Sequence, residues 1–225
     1  MSHLRTRSLL AVGLLLGASP MLAANYAVGT CKPSLPSYIT ISAAVSGVPP
    51  FSTVLVCPGT YPEQVTIAQP LTLKGITSAN AGQAVITVPG SGLSFVTTGL
   101  GYQIAAQVAV TATAGAVNIS DLTMDGTGNT VGGYPPWLVG ILYDDGSSGT
   151  VNEVTVRNLN TNSTATAGVW AENSTATNES VTIENSSFHD IDDSAVITLG
   201  STLLATAKGN TMETGGLTVQ SFSGR

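Results

Sequence analysis

Between Val139 and Leu199 the chain repeats itself, and this repeat limits the fold more than any other feature. VGILYDDGS (139–147) is followed by VNEVTVRNLN (151–160), AGVWAENS (167–174) by ESVTIENSSFHDI (179–191), and SAVITLGS (194–201) opens a third copy. Aligning the copies sets Val154 over Val181 and Gly168 over Ala195, each 27 residues apart. The pieces are short, β-branched and alternating, with no helical spacing of apolar residues. A repeat of this length built from strands is the mark of a β-solenoid. One coil cannot bury its apolar face alone, but a stack of coils buries a continuous core.

Composition fits that reading. Of the 225 residues, 43% are hydrophobic and only 9% charged, which is too apolar for a disordered chain. One domain with a sizeable core is expected. The net charge is −6 with 7 Lys and Arg, so no nucleic-acid partner is expected, since phosphate binding needs a basic face.

Residues 1–24 read as a signal peptide. Arg5 and Arg7 form a basic start, LLAVGLLLGA (9–18) the apolar run, and SPMLAA (19–24) supplies small residues at a cleavage site. The run is short for a membrane span, so no membrane anchor is expected after cleavage. Export to the medium, periplasm or cell surface follows, with residues 25–225 as the β-helix domain. Cys31 and Cys57 are the two cysteines. In an exported chain they suggest a disulfide, the alternative being two buried thiols.

YITISAAVSG (38–47) reads as a short helix ended by Gly47, suited to cap the open end of a solenoid. STVLVCPGTYPEQVTIAQPLTLKGI (52–76) follows, with three short strands and tight turns at Pro58-Gly59 and Gln69-Pro70. This run, V-x-V-x-P-G-T-Y-x-E-x-V-x-I-x-x-x-L-T-L-x-G, resembles the opening of pectinesterases in the pectin lyase-like superfamily. The later repeats resemble that superfamily's degenerate β-helix repeats. The resemblance implies an all-β fold: a single-stranded right-handed parallel β-helix. It implies an extracellular polysaccharide as partner, bound or processed by a lyase, esterase or hydrolase. The Q-D-T and D-F-I-F-G motifs that pectinesterases use in catalysis do not occur here, nor does the G-H-G of polygalacturonases. Gly59, Tyr61 and Glu63 read as structural: a turn, a packed ring and an acceptor for backbone donors.

In the repeat, Leu142, Trp170, Ile197 and Thr218 share one column, and Asp144, Glu172, Leu199 and Gln220 the column two residues on. Residues two apart on a strand share a face. Outward columns would set Glu172 beside Trp170 and next to Asp144, with coils about 4.8 Å apart. Asp144 and Glu172 are therefore the candidate catalytic pair, of the kind that serves as acid and nucleophile in retaining glycosidases. They could equally hold Ca²⁺ or form an exposed acidic pair. FHDIDD (188–193) offers Asp190, Asp192 and Asp193 as candidate Ca²⁺ ligands and a His189–Asp190 pair, or a polar turn bonded to its own backbone.

Val117, Ile119 and Leu122 align with Val154, Val156 and Leu159, now 37 residues apart. The extra residues fall within 126–138 and form an inserted loop carrying Tyr134 and Trp137. With Trp170, these are the candidate sugar-binding aromatics. Asn158 and Asn185 are expected to stack as an amide ladder. Met124, Phe188 and Met212 should form an internal row interrupted at Thr161, and Arg157 and Lys208 should share a turn position. No polar cap follows Gly216–Leu217, so the domain is expected to be incomplete at its C-terminus. A structural or adhesive cell-surface solenoid without catalysis is the alternative function.

Overall fold

The computed structural model describes residues 23–78, 82–111, 115–129, 137–160 and 165–213, and the backbone of 216–220. The proposed signal peptide lies outside them, apart from Ala23 and Ala24. β1 (Asn25–Val28), β2 (Ser37–Tyr38) and the helix α1 (Ile41–Gly47) come first. Six coils of three strands follow. The first is β3 (Thr53–Val56), β4 (Gly59–Pro62) and β5 (Val65–Ile67). The second is β6 (Leu71–Gly75), β7 (Ala84–Thr87) and, after the two-residue β8 (Val96–Thr97), β9 (Gln103–Val110). Then come β10 (Ala116–Ser120), β11 (Leu122–Asp125) and β12 (Trp137–Tyr143). The fourth coil is β13 (Ser148–Asn152), β14 (Thr155–Leu159) and β15 (Thr166–Glu172). The fifth is β16 (Glu179–Glu184), β17 (Ser187–Ile191) and β18 (Ser194–Leu199). The sixth is β19 (Leu203–Lys208), β20 (Thr211–Met212) and β21 (Gly216–Gln220).

Apart from β8, each strand of a coil pairs in parallel with its counterpart one coil away, which yields three long sheets. The first runs β2-β1-β3-β6-β10-β13-β16-β19, the second β4-β7-β11-β14-β17-β20, the third β5-β9-β12-β15-β18-β21. The chain is a right-handed parallel β-helix. Alternation makes it so. Val54, Val56, Leu73, Ile119, Val151 and Ile183 of the first sheet point inward and are fully buried, as are Ile86, Met124, Val156 and Phe188 of the second. The residues between them face out. One outward column of the first sheet reads Asn25, Thr53, Thr72, Asn118, Thr150, Thr182, Thr206. A second-sheet column reads Thr60, Val85, Thr123, Thr155, Ser187, Thr211.

The N-terminal end is closed by α1, which buries Ile41, Ala44 and Val45. Thr40 caps it, accepting from the Ala43 N–H at 3.2 Å. Glu63 holds the same end, its carboxylate accepting from the N–H groups of Ile41 and Ser42 at 2.9 Å each. Those N–H groups have no partner within the helix, and a carboxylate suits them. Tyr61 donates its hydroxyl to the Cys57 carbonyl at 2.8 Å. Cys31 and Cys57 are joined by a disulfide.

The structure corrects the register of the repeat. Gly168 does align with Ala195, but Val154 does not align with Val181. Gly149 pairs with Val181 and Thr155 with Ser187, steps of 32 residues in the first and second sheets. The third sheet steps by 28 residues from Val139 to Ala167 and by 27 from Ala167 to Ser194. Val151, Val154 and Val156 explain the slip. The first and second strands of a coil meet at a corner of one left-handed residue, Asp121, Glu153 or Asn185, with φ of 57°, 55° and 52°. Alternation looks the same on both sides of so short a corner, so the alignment jumped from one sheet to the next.

Other expectations shift with it. Asn158 lies on β14 and donates to Asp125 at 2.9 Å, whereas Asn185 sits at a corner and donates to Asn152 at 2.9 Å. They are not rungs of one ladder. Arg157 faces out from the second sheet, bonded through Nε to Asp125 at 2.9 Å, while Lys208 lies on the first. The row of Met124, Phe188 and Met212 exists, with Val156 rather than Thr161 as its remaining member.

Candidate functional site

From the second coil to the fifth, the connection from second to third sheet shortens along the helix. It covers residues 88–102, then 126–136, 160–165 and 192–193. The first of these folds back as a hairpin. β8 pairs antiparallel with the start of β9, Val96 opposite Ile104 and Thr97 opposite Gln103. Its tip is a turn in which the Thr98 N–H donates to the Tyr102 carbonyl at 2.9 Å and the Gly101 N–H to the Thr98 carbonyl at 2.9 Å. The hairpin lies on the outer face of the third sheet and reaches across the next two coils.

Beneath it is a second apolar cluster, separate from the solenoid core: Ile104, Ala106, Ala109, Val139, Leu142, Ala167, Trp170, Ile197 and Leu199. The column of Leu142, Trp170 and Ile197 is in register, and it faces outward. Outward is not exposed, however. Trp170 is 1% exposed. Its ring meets Tyr102 and Trp137 edge to face, with both centroids at 5.0 Å. A charge two residues away suggests an accessible face, but a hairpin from two coils earlier covers this one, and no local pattern signals it. Trp137 and Tyr102 are half-buried at the margin of the cluster. Tyr134 lies outside the described residues.

The tip of the hairpin is held by acids. The Gly99 N–H donates to Asp144 at 3.1 Å and the Leu100 N–H to Glu172 at 2.9 Å. Trp170 Nε1 donates to the other oxygen of Glu172 at 2.9 Å, and the Thr98 hydroxyl bonds the same carboxylate. Asp145 accepts from the Ser174 N–H at 2.6 Å and from the Ser174 hydroxyl. Gly99 lets the tip approach closely: a Cβ here would sit 1.5 Å from Asp145 Oδ2, so the Asp145 carboxylate would have to move. Burial pushes the Glu172 carboxyl up and the nearby Asp144 charge adds to this, against the hydrogen bonds that favour its charged form.

Asp144, Asp145 and Glu172 can bring one oxygen each within 4.8 Å of one another. Among the described residues no other three potential ligands gather so closely. Three carboxylates are a donor set suited to a hard cation such as Ca²⁺. Here their oxygens meet N–H and O–H donors of the protein, and Glu172 has donors on both.

The run from His189 to Asp193 does not gather into such a set. His189 Nδ1 lies 2.9 Å from Asp190, whose backbone is left-handed at φ 55°. Asp193 accepts from the Thr166 N–H at 2.6 Å and so ties two coils together. Asp192 is also engaged by its neighbours.

Sequence reasoning missed the hairpin residues Thr98, Gly99, Leu100 and Tyr102. Their one local signal is the glycine-flanked turn GLGY. The acids they meet lie 45 and 72 residues further on.

No known family profile matches this chain, and no curated protein matches it. Three solved structures do. One is a pectin methylesterase variant in complex with a hexasaccharide: 15% identity, 88% of this chain and 68% of that one, TM-score 0.48. A second pectin methylesterase–hexasaccharide complex gives 14%, 81%, 56% and 0.41. Pectin methylesterase PemA from Erwinia chrysanthemi gives 13%, 83%, 60% and 0.41. No residue role passes from them to this chain, and the likeness is one of fold.

Proposed function

We propose that this is an exported β-helix protein that binds an extracellular polysaccharide at the half-buried margin of the hairpin-covered outer face of its third sheet. The observation that carries the reading is the aromatic margin there. Trp137 and Tyr102 flank the buried Trp170, with Asp144 and Asp145 half-exposed beside them. Aromatic rings offer the C–H faces of a sugar an apolar platform, and carboxylates accept from its hydroxyls. The pectinesterase-like opening supports the same ligand class.

Binding is favoured over catalysis because both oxygens of Glu172 serve the hairpin and its own Trp170. A nucleophile or proton donor needs a free oxygen facing the substrate. Affinity electrophoresis through gels of acidic and neutral polysaccharides tests the reading. The wild type is retarded, and Trp137→Ala, folded by circular dichroism, loses at least tenfold in affinity. Unchanged retardation of that variant overturns the site. Ester release or depolymerisation that vanishes in Asp144→Asn overturns the binding-only reading.

A further inference from the structure

Elsewhere on the molecule, on the first sheet, a recess of about 340 Å³ opens at the ends of β3, β6 and β10. This is at the lower end of the roughly 300–1,000 Å³ typical of small-ligand sites. Its lining includes Lys32, Leu55, Lys74, Ile76, Thr77 and Asp121. Charge makes it unusual in this chain, which has 7 Lys and Arg against 13 Asp and Glu. Four of those seven, Lys32, Lys74, Arg157 and Lys208, lie among the described residues, and two of the four face this recess.

The recess is built. Lys32 follows Cys31, whose disulfide to Cys57 fixes that loop beside the end of β3. The Cys31 N–H also points at Cys57 Sγ at 3.0 Å, and a turn from the Lys32 carbonyl to the Leu35 N–H closes at 3.0 Å. Lys74 stands next to Leu55 in register. Its ammonium lies 3.5 Å from the carboxylate of Asp121, a corner residue held at φ 57°. That pair is partly exposed and long, and it leaves donors of Lys74 free. Among the described residues the Lys32 ammonium has no carboxylate within ion-pair distance. The three charges leave the recess with one net positive charge on a protein of net charge −6.

We propose that this recess binds an anionic saccharide unit, its carboxylate or sulfate held between the ammonium groups of Lys32 and Lys74. Leu55 and Ile76 give the C–H face of the ring an apolar floor. The Asp121 carboxylate and the Thr77 hydroxyl meet sugar hydroxyls. The proposal takes its ligand class from the polysaccharide reading above, but the site is on another sheet and uses other residues.

Titration calorimetry with three trisaccharides tests it: a tri-uronate, a sulfated trisaccharide and neutral maltotriose. At least one charged probe binds at low salt at least tenfold more tightly than maltotriose, and its affinity falls as salt rises. The tighter of the two identifies the anion. Lys32→Ala and Lys74→Ala each lose at least fivefold with the melting temperature unchanged. Lys208→Ala, on the last strand of the same sheet, loses nothing. Binding of neither charged probe, equal affinity for charged and neutral probes, or an unaltered Lys32→Ala overturns the site. So does an equal loss in Lys208→Ala. If Trp137→Ala abolishes polymer binding while Lys32→Ala leaves the charged trisaccharide unaffected, the third-sheet reading stands and this one falls. In the opposite pattern the recess stands and the third-sheet reading falls.

Discussion

Replacing Trp170 with Ala tests the arrangement of the third sheet most directly. The indole is 1% exposed and packed between two rings at 5.0 Å. Truncating a buried Trp costs about 3–5 kcal/mol, and losing the two edge-to-face contacts is part of that. The Glu172 oxygen that accepted from Nε1 loses its donor in a buried place, at about 1–3 kcal/mol more. The cluster lies outside the solenoid core, so the loss has a ceiling. Once the hairpin lifts and water reaches Glu172, nothing further is lost. The prediction is therefore local. Amide exchange at Gly99 and Leu100 should speed up at least about 100-fold, the equivalent of about 3 kcal/mol at about 1.4 kcal/mol per tenfold. Exchange at Val108 and Ile141, which point into the main core, should change less than tenfold. Hydrogen exchange read by mass spectrometry or NMR gives both numbers on one sample. An acceleration below tenfold at Leu100, or loss of protection throughout the protein, would refute the division into two separate clusters.

Three further outcomes are expected. Burial raises the Asp125 carboxyl, but hydrogen bonds from Asn158, Thr127 and Arg157 outweigh it and hold the pKa at about 2. Its contribution, about 2 kcal/mol, is complete above its ordinary value of 3.8 and is lost as pH falls toward 2, and acid titration of Asp125→Asn should lack this step. Glu172 has the opposite sign: its raised pKa favours the folded state below the ordinary 4.5, and that advantage disappears as pH rises through the folded value. Urea midpoints of Glu172→Gln across pH 4 to 8 should show a flatter profile than wild type, and an identical slope would count against the burial of this group. The double variant Cys31→Ser/Cys57→Ser should lose about 3 kcal/mol, as expected for a crosslink spanning 26 residues, and a loss under about 1 kcal/mol would show that α1 alone seals that end.

The fold was largely legible because alternation is a strand-level signal. Val54–Val56 and Val65–Ile67 announced two strands of the first coil and Leu71–Leu73 the start of the second, although the strand Gly59–Pro62 between the first two reads as a turn, and Gly47 ended the capping helix where its apolar face runs out. The helical register was less legible, since Val151, Val154 and Val156 alternate through a corner without marking it. The third sheet, where Gly168 and Trp170 break the monotony of Val and Ile, was aligned correctly, as was the second-sheet row of Met124, Phe188 and Met212. Glu172 and Asp144 could be brought together from their columns alone. That Glu172 would be consumed by Leu100 and Trp170 could not be read, because nothing in 93–102 specifies which face of which coil it covers. The recess at Lys32 escaped for a similar reason: Lys32 and Lys74 are 42 residues apart, joined by a disulfide and a sheet rather than by a motif.

The hydroxyl and amide columns on the first two sheets carry a consequence for handling. A protein with 9% charged residues has little electrostatic repulsion to keep its copies apart, and that little is screened within about 8 Å at physiological ionic strength. Thr53, Thr72, Thr150 and Thr182 keep the outer face wet by hydrogen bonding instead. Water bound to hydroxyls does not depend on protonation. Solubility between neutral pH and the isoelectric region near 4.6 should therefore change little, where a charge-stabilised protein would precipitate. Sulfate, which strengthens burial by being excluded from protein surfaces, should bring this chain out of solution at lower concentrations than chloride does.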